Sequence, residues 1–271
     1  MKIGACYILF NEEDYIKESL ESIYPFPDKI YIILGEPFNG SIVEKDSTEE
    51  IVRTFPDPYN KIVLIYSDET DESVNKNFQL ELCRKDGLDW MWIVDGDEVY
   101  FPDRLEIALN ELDQVINLPQ NKTVDVIRVN AREYWRSIHY SPGTTEHYTF
   151  FSTNPNMEIR IRMPTKNYGR FTYLSIKKDF ILFNHYGLAR TPNKMKEKYS
   201  ITDNRLNTEM KKTYNLDKWL NEKFTPWRPD NQIDNIHPFR PELWNKVEKI
   251  NNSEIPENMI KHKWYGIEVI E

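Results

Sequence analysis

Cysteine is nearly absent from this 271-residue chain: Cys6 and Cys83 are the only two, each in an apolar-flanked segment. So few thiols exclude a disulfide framework or a cysteine-rich metal site, and predict two reduced core residues. Long hydrophobic runs are missing as well. No stretch approaches the roughly 18 apolar residues of a membrane helix. Met1–Phe10 is short, β-rich and followed at once by Asn11-Glu12-Glu13-Asp14, so it reads as a first strand rather than a secretory signal. A cytoplasmic protein is the expectation. There is no internal repeat, no low-complexity tract, and no Gly-rich phosphate loop after Phe10.

What is present is globular, with 39% hydrophobic and 29% charged residues, and the length suffices for one large α/β domain or for a main domain plus a smaller helical appendage. Aromatics reach 13%, which suits flat sugar-binding faces but more readily reflects core and interface packing. The net charge of −9 is uneven. Residues 1–150 hold 14 Lys/Arg against 29 Asp/Glu, and residues 151–271 hold 21 against 15. An acidic half suits a divalent cation and a basic half suits phosphate groups.

The first hundred residues alternate strand and helix patterns. Strands are predicted over Ile3–Phe10, Lys29–Leu34, Lys61–Tyr66 and Trp90–Val94. Helices are predicted after Asp14, over Ser47–Phe55 with a capping-box-like start, and over Val74–Lys85. This order predicts a parallel sheet with right-handed crossovers. A helix follows over residues 103–117, then strands over Val124–Asn130, Met157–Met163, Phe171–Ile176 and Phe180–Asn184 that lack helical crossovers. The rest is polar and partly helical, most clearly over Asp217–Lys223 and Pro241–Ile250.

Ligands of an open parallel sheet bind beyond the strands' carboxyl ends. Those ends carry Asn11-Glu12-Glu13, Gly35-Glu36-Pro37, Ser67-Asp68-Glu69 and Asp95-Gly96-Asp97-Glu98. Two carboxylates one residue apart, after the buried run Trp-Met-Trp-Ile-Val, suit Mg²⁺ or Mn²⁺ bridging a diphosphate. Gly96 lets backbone approach the phosphates. His185, after a predicted strand, can add a neutral imidazole ligand beside carboxylates, although a lone His is more often a core or surface residue, and a basic segment with Arg190, Lys194 and Lys198 follows it. If Pro192 starts a helix, the two lysines share a face.

Phe10-Asn11-Glu12-Glu13, Leu20-Glu21-Ser22-Ile23, Asp46-Ser47-Thr48, Asn77 and Ile93-Val94-Asp95-Gly96-Asp97-Glu98 together make the chain resemble family-2 glycosyltransferases of the GT-A fold. The resemblance covers residues 1–100 well and continues more loosely to about residue 200. It implies an α/β, Rossmann-like, mostly parallel mixed sheet flanked by helices. The catalytic domain would span residues 1–190 (nucleotide-binding half 1–100, acceptor half 101–190), with a helical extension over residues 191–271. It also implies a metal-dependent, inverting, hexosyltransferase-type enzyme that uses Mn²⁺ or Mg²⁺ and a nucleotide-sugar, with UDP favoured as carrier. Phe10, Asn11 and Glu12 would lie against the nucleoside and Glu36 against the base. The usual Asp-rich turn there is replaced by Gly35-Glu36-Pro37, with Asp46-Ser47-Thr48 ten residues later. Lys76 and Asn77 would stand near the donor, Asp95 and Gly96 at the nucleotide, Asp95, Asp97 and His185 around the metal, and Arg190, Lys194 and Lys198 at the leaving diphosphate. Glu133 and Asp179 are the two candidates for the base that deprotonates a carbohydrate or other hydroxyl acceptor. A nucleic-acid acceptor is compatible with the basic second half, but the total charge opposes strong non-specific binding. A nucleotidyltransferase would bring a Gly-rich loop, and a carbohydrate-binding module leaves the Asp-x-Asp-Glu unexplained.

Overall fold

The computed structural model describes residues 1–37, 43–116, 124–160, 163–166, 171–177, 179–202, 215–237, 244 and 246–271. Its first part alternates as the hydrophobic pattern predicts: β1 (Ile3–Leu9), α1 (Ile16–Ile23), β2 (Lys29–Leu34), α2 (Thr48–Thr54), β3 (Ile62–Tyr66), α3 (Glu72–Lys85) and β4 (Trp90–Ile93). After these come β5 (Glu98–Tyr100), α4 (Pro102–Ile116), β6 (Val126–Trp135), β7 (Tyr140–Ser141), β8 (Gly143–Ser152), β9 (Met157–Arg160), β10 (Met163–Lys166), β11 (Tyr173–Ser175) and β12 (Ile181–Leu188). The chain then runs through α5 (Pro192–Thr202), α6 (Leu216–Trp219) and a π turn over Leu220–Phe224 to β13 (Glu248–Lys249).

The main sheet has the order β3-β2-β1-β4-β8-β6-β12-β5, with β11 beside β6. β1 pairs in parallel with β2 and β4, and β2 with β3, so the carboxyl ends of all four strands share one edge. β8 enters antiparallel to β4, which makes the sheet mixed. Alternation along the strands divides the packing. Ala5, Tyr7, Leu9, Trp90 and Trp92 join α1 and α4 in one cluster, while Cys6 and Met91 join Leu80 and Cys83 of α3 in another. Both faces are therefore covered by helices. The two cysteines are buried free thiols with their sulfurs 3.8 Å apart, reduced as expected.

The chain divides into two compact units. The first comprises residues 1–36, 44–131 and 146–183, and the second residues 37–43, 132–145 and 184–271. The second has its own aromatic core around Trp135, Trp219, Phe224, Trp227 and Trp244.

Three expectations need correction. The helix expected over Pro241–Ile250 is not there among the described residues: Glu248–Lys249 is a strand antiparallel to Tyr140–Ser141. Trp244 and Val247 are three residues apart, a helical spacing, and both are buried, Val247 just before this strand. Met157–Met163 is not one strand; Met157–Arg160 pairs antiparallel with Met163–Lys166 in a separate two-stranded sheet. At α2 the N-cap Ser47 makes no side-chain cap bond; Asp46 Oδ1 accepts the Thr48 amide instead, at 2.9 Å.

Candidate active site

The loop after β1 is held by hydrogen bonds to a distant segment. Asn11 has φ +52°, a left-handed backbone that Asn tolerates better than most residues. Its side chain donates to Glu44 O (2.9 Å) and accepts from the Asp46 amide (3.0 Å). The Glu12 amide donates to Thr48 Oγ1 (2.7 Å), the Glu13 amide to Asp46 Oδ2 (3.3 Å), and the Ser47 amide to Glu13 Oε2 (3.1 Å). Asp46-Ser47-Thr48 thus folds back onto the β1 loop. Glu36, just past β2, pairs with Lys45 Nζ at 2.7 Å, both side chains exposed.

The Asp-Gly-Asp turn sits at the carboxyl end of β4. Asp95 is exposed, whereas Asp97 is only 2% and Glu98 5% exposed. The Glu98 amide donates to Asp95 O (3.1 Å), and the Ser19 hydroxyl donates to the same carbonyl (3.4 Å). Tyr100 Oη donates to Glu98 Oε2 (3.0 Å) and accepts from Trp92 Nε1 (3.1 Å). Burial, reinforced by the charges of Glu98 and Asp95, pushes the Tyr7 phenol far up, and burial with Glu98 does the same to Tyr100. Both phenols remain protonated beside an anionic turn, a field that favours a cation.

Gly96 earns its place by close approach. A Cβ there would lie 2.9 Å from Glu12 Cβ and 3.0 Å from Leu9 Cδ2. The turn is thereby packed onto the β1 loop. Gly96→Ala is expected to push the two apart, costing about 1–3 kcal/mol by overpacking. Thermal denaturation checks it; a wild-type melting temperature would show that the contact relaxes freely.

The other site residues divide by environment. Phe10 and Glu12 are partly exposed on the β1 loop. Lys76, 7% exposed, pairs with Glu72 at 2.7 Å within α3. The Asn77 amide group donates to Ile159 O (2.7 Å) and accepts from the Ile159 amide (2.9 Å), fastening β9 to α3. Asp179 is an exposed turn residue just before β12.

In the second unit, Glu133 on β6 lies 2.8 Å from His185 Nδ1 on β12 through Oε2, and its Oε1 accepts the Thr145 hydroxyl. Arg190 is 1% exposed. Pro192 does begin α5, where Thr191 Oγ1 caps the Lys194 amide at 3.1 Å; Lys194 and Lys198 are both half-buried. Sequence reading missed Thr145 and the buried, strand-borne character of Glu98. It also missed Glu254, whose carboxylate takes Arg132 (3.2 Å) and whose carbonyl takes Asn184 Nδ2 (2.9 Å).

No helix among the described residues is long and apolar enough to cross a membrane. No curated protein sequence matches the chain significantly. Among solved structures it is similar to residues 1–349 of S. aureus TarS, with 15% identity over 76% of this chain and 64% of that one, and a TM-score of 0.42. The chain covers 39% of the longer S. aureus TarS structure, at 16% identity over 76% of its own length and a TM-score of 0.42. It is also similar to 4-diphosphocytidyl-2C-methyl-D-erythritol synthase from Anaerococcus prevotii, with 8% identity over 67% of this chain and 89% of that one, and a TM-score of 0.39. A family model described as glycosyl transferase family 2 matches residues 6–175, from β1 through β11, including the β1 loop and the Asp-Gly-Asp turn. The chain belongs to glycosyl transferase family 2.

Proposed function

We propose that the protein transfers a sugar from a nucleoside-diphosphate sugar, UDP being the preferred carrier, to a hydroxyl acceptor with inversion and with the help of Mn²⁺ or Mg²⁺. The observation that carries this reading is the Asp95-Gly96-Asp97 turn at the carboxyl end of β4, packed through Gly96 onto the β1 loop. That places carboxylates beside the loop read as nucleoside-binding, at the edge where parallel sheets bind ligands. The Asp95 and Asp97 carboxylates fit a hard divalent ion, and the sequence pattern supports His185 as a nitrogen ligand. Bound there, the ion would neutralise charge on the diphosphate.

The chain's own groups do the remaining work in this reading. Asn11 and Glu12 hold the nucleoside, with the Asp46–Thr48 clasp setting the loop's shape, and Glu36 with Lys45 borders the base. The acceptor oxygen bonds to the anomeric carbon as the carbon–phosphate oxygen bond breaks, and its proton passes to a carboxylate, for which Glu133 and Asp179 are the candidates. Lys194 and Lys198 supply positive charge for the departing diphosphate. Arg190 is buried, so Lys198 gives the cleaner test: Lys198→Ala is expected to lower kcat by about tenfold with a smaller change in UDP affinity. Equal losses in kcat and UDP affinity would assign Lys198 to ground-state binding.

The decisive assay incubates the protein with a panel of nucleotide-sugars and candidate acceptors, and follows products by mass spectrometry. Release of nucleoside diphosphate with a glycosylated acceptor is expected. Pyrophosphate released from a nucleoside triphosphate and a sugar phosphate would instead make the protein a nucleotidyltransferase.

A further inference from the structure

Glu133 and His185 belong to the second unit and project from β6 and β12, which are neighbours in the sheet. Glu133 Oε2 stands 2.8 Å from His185 Nδ1, with side-chain exposures of 7% and 21%. The other carboxylate oxygen, Oε1, accepts the hydroxyl of Thr145 on β8. An ionised carboxylate only accepts, so the ring nitrogen facing it carries the proton. In the neutral imidazole the lone pair then resides on Nε2, the nitrogen turned away from Glu133. The Thr145 hydroxyl fixes the carboxylate's rotation, which in turn fixes the ring.

We propose that Glu133 is a positioning residue: it holds His185 as the Nδ1–H tautomer and presents Nε2 to a divalent cation. The proposal rests on the reading of His185 as a metal ligand. Metal-binding histidines commonly donate their second N–H to a carboxylate, and loss of that partner weakens metal affinity by about 10–100-fold. In this role Glu133 gives up its candidacy as the base, and of the two carboxylates Asp179 remains. Both oxygens of Glu133 are engaged and its side chain is almost wholly buried, so an acceptor hydroxyl has little access to it.

The test measures Mn²⁺ binding to the full chain, without nucleotide, from the loss of the free-ion electron paramagnetic resonance signal. Wild type is compared with Glu133→Gln, Glu133→Ala, His185→Ala and the Glu133→Ala/His185→Ala double variant. Nitrogen NMR of histidine-labelled protein reports the His185 tautomer. Glu133→Gln keeps the side-chain volume and so guards against misfolding, which thermal denaturation monitors.

The expected result is a Mn²⁺ affinity lowered about 10–100-fold in both Glu133 single variants, loss of the uniform Nδ1–H tautomer, and a double variant no weaker than His185→Ala alone. If His185→Ala lowers affinity but the Glu133 variants leave affinity and tautomer unchanged, the positioning role is overturned while the ligand reading stands. If the two substitutions add in full, Glu133 acts independently of His185 and the proposal is overturned. An unchanged Mn²⁺ titration in His185→Ala overturns the ligand reading and the proposal with it.

Discussion

Asp97→Asn is expected to reduce metal-dependent turnover by about a hundredfold or more, equivalent to ~2.7 kcal/mol of transition-state stabilisation, while leaving the fold intact. Asp97 is 2% exposed at the turn that follows β4. Asparagine matches it in size, so the substitution removes charge without opening a cavity. The fold should therefore hold even as activity is lost. Asp95, at the same turn but exposed, should give a smaller loss on Asp95→Asn, because an exposed carboxylate is partly replaceable by water. A kinetic titration with Mn²⁺ beside thermal denaturation separates these effects. Wild-type turnover of Asp97→Asn at wild-type Mn²⁺ concentrations would remove Asp97 from the metal site.

Trp135→Ala should produce the largest stability effect, about 3–5 kcal/mol. Trp135 is fully buried at the end of β6, with its ring centroid 5.1 Å from Phe224 and 5.9 Å from Trp219, both edge-on. Those partners lie more than eighty residues downstream, so one ring joins β6 to the π turn that closes α6. Trp135→Phe should cost clearly less. It keeps an aromatic ring in place, and it deletes a buried indole N–H that has no hydrogen-bond partner among the described residues. Urea unfolding midpoints compare the two variants. Equal destabilisation would mean that shape specific to the indole, rather than aromatic packing, holds this core. Glu133 is two residues away on the same strand, so Trp135→Ala should also weaken Mn²⁺ binding below its melting temperature.

The nucleotide-side half of this fold is legible in the sequence for a simple reason. β1, β2 and β4 are buried on both faces and read as short apolar runs, while α1 and α4 show one apolar stripe each. Once the strands are known to be parallel, the residues that follow them must share an edge, and the Asp-Gly-Asp turn falls there. β8 was not legible because the alternating positions Thr145 and His147 are polar, so its first half lacks an apolar rhythm.

The Glu133–His185 hydrogen bond spans 52 residues and depends on β6 and β12 being neighbours, which local spacing does not encode. Lys76 and Asn77 differ in what spacing shows: the first pairs with a residue one helical turn earlier, the second with a strand 82 residues on. Their side chains are spent on Glu72 and on the backbone of Ile159.

The most direct test of a metal-dependent nucleotide-sugar transferase is the thermal shift of the full chain with UDP, with and without Mn²⁺. At UDP a hundredfold above its dissociation constant, binding should stabilise the protein by about 2.7 kcal/mol, raising the melting temperature by several degrees. The shift should vanish with a chelator and in Asp97→Asn. A shift of equal size in the chelator, or one given by free sugars but not by UDP or GDP, would contradict the account.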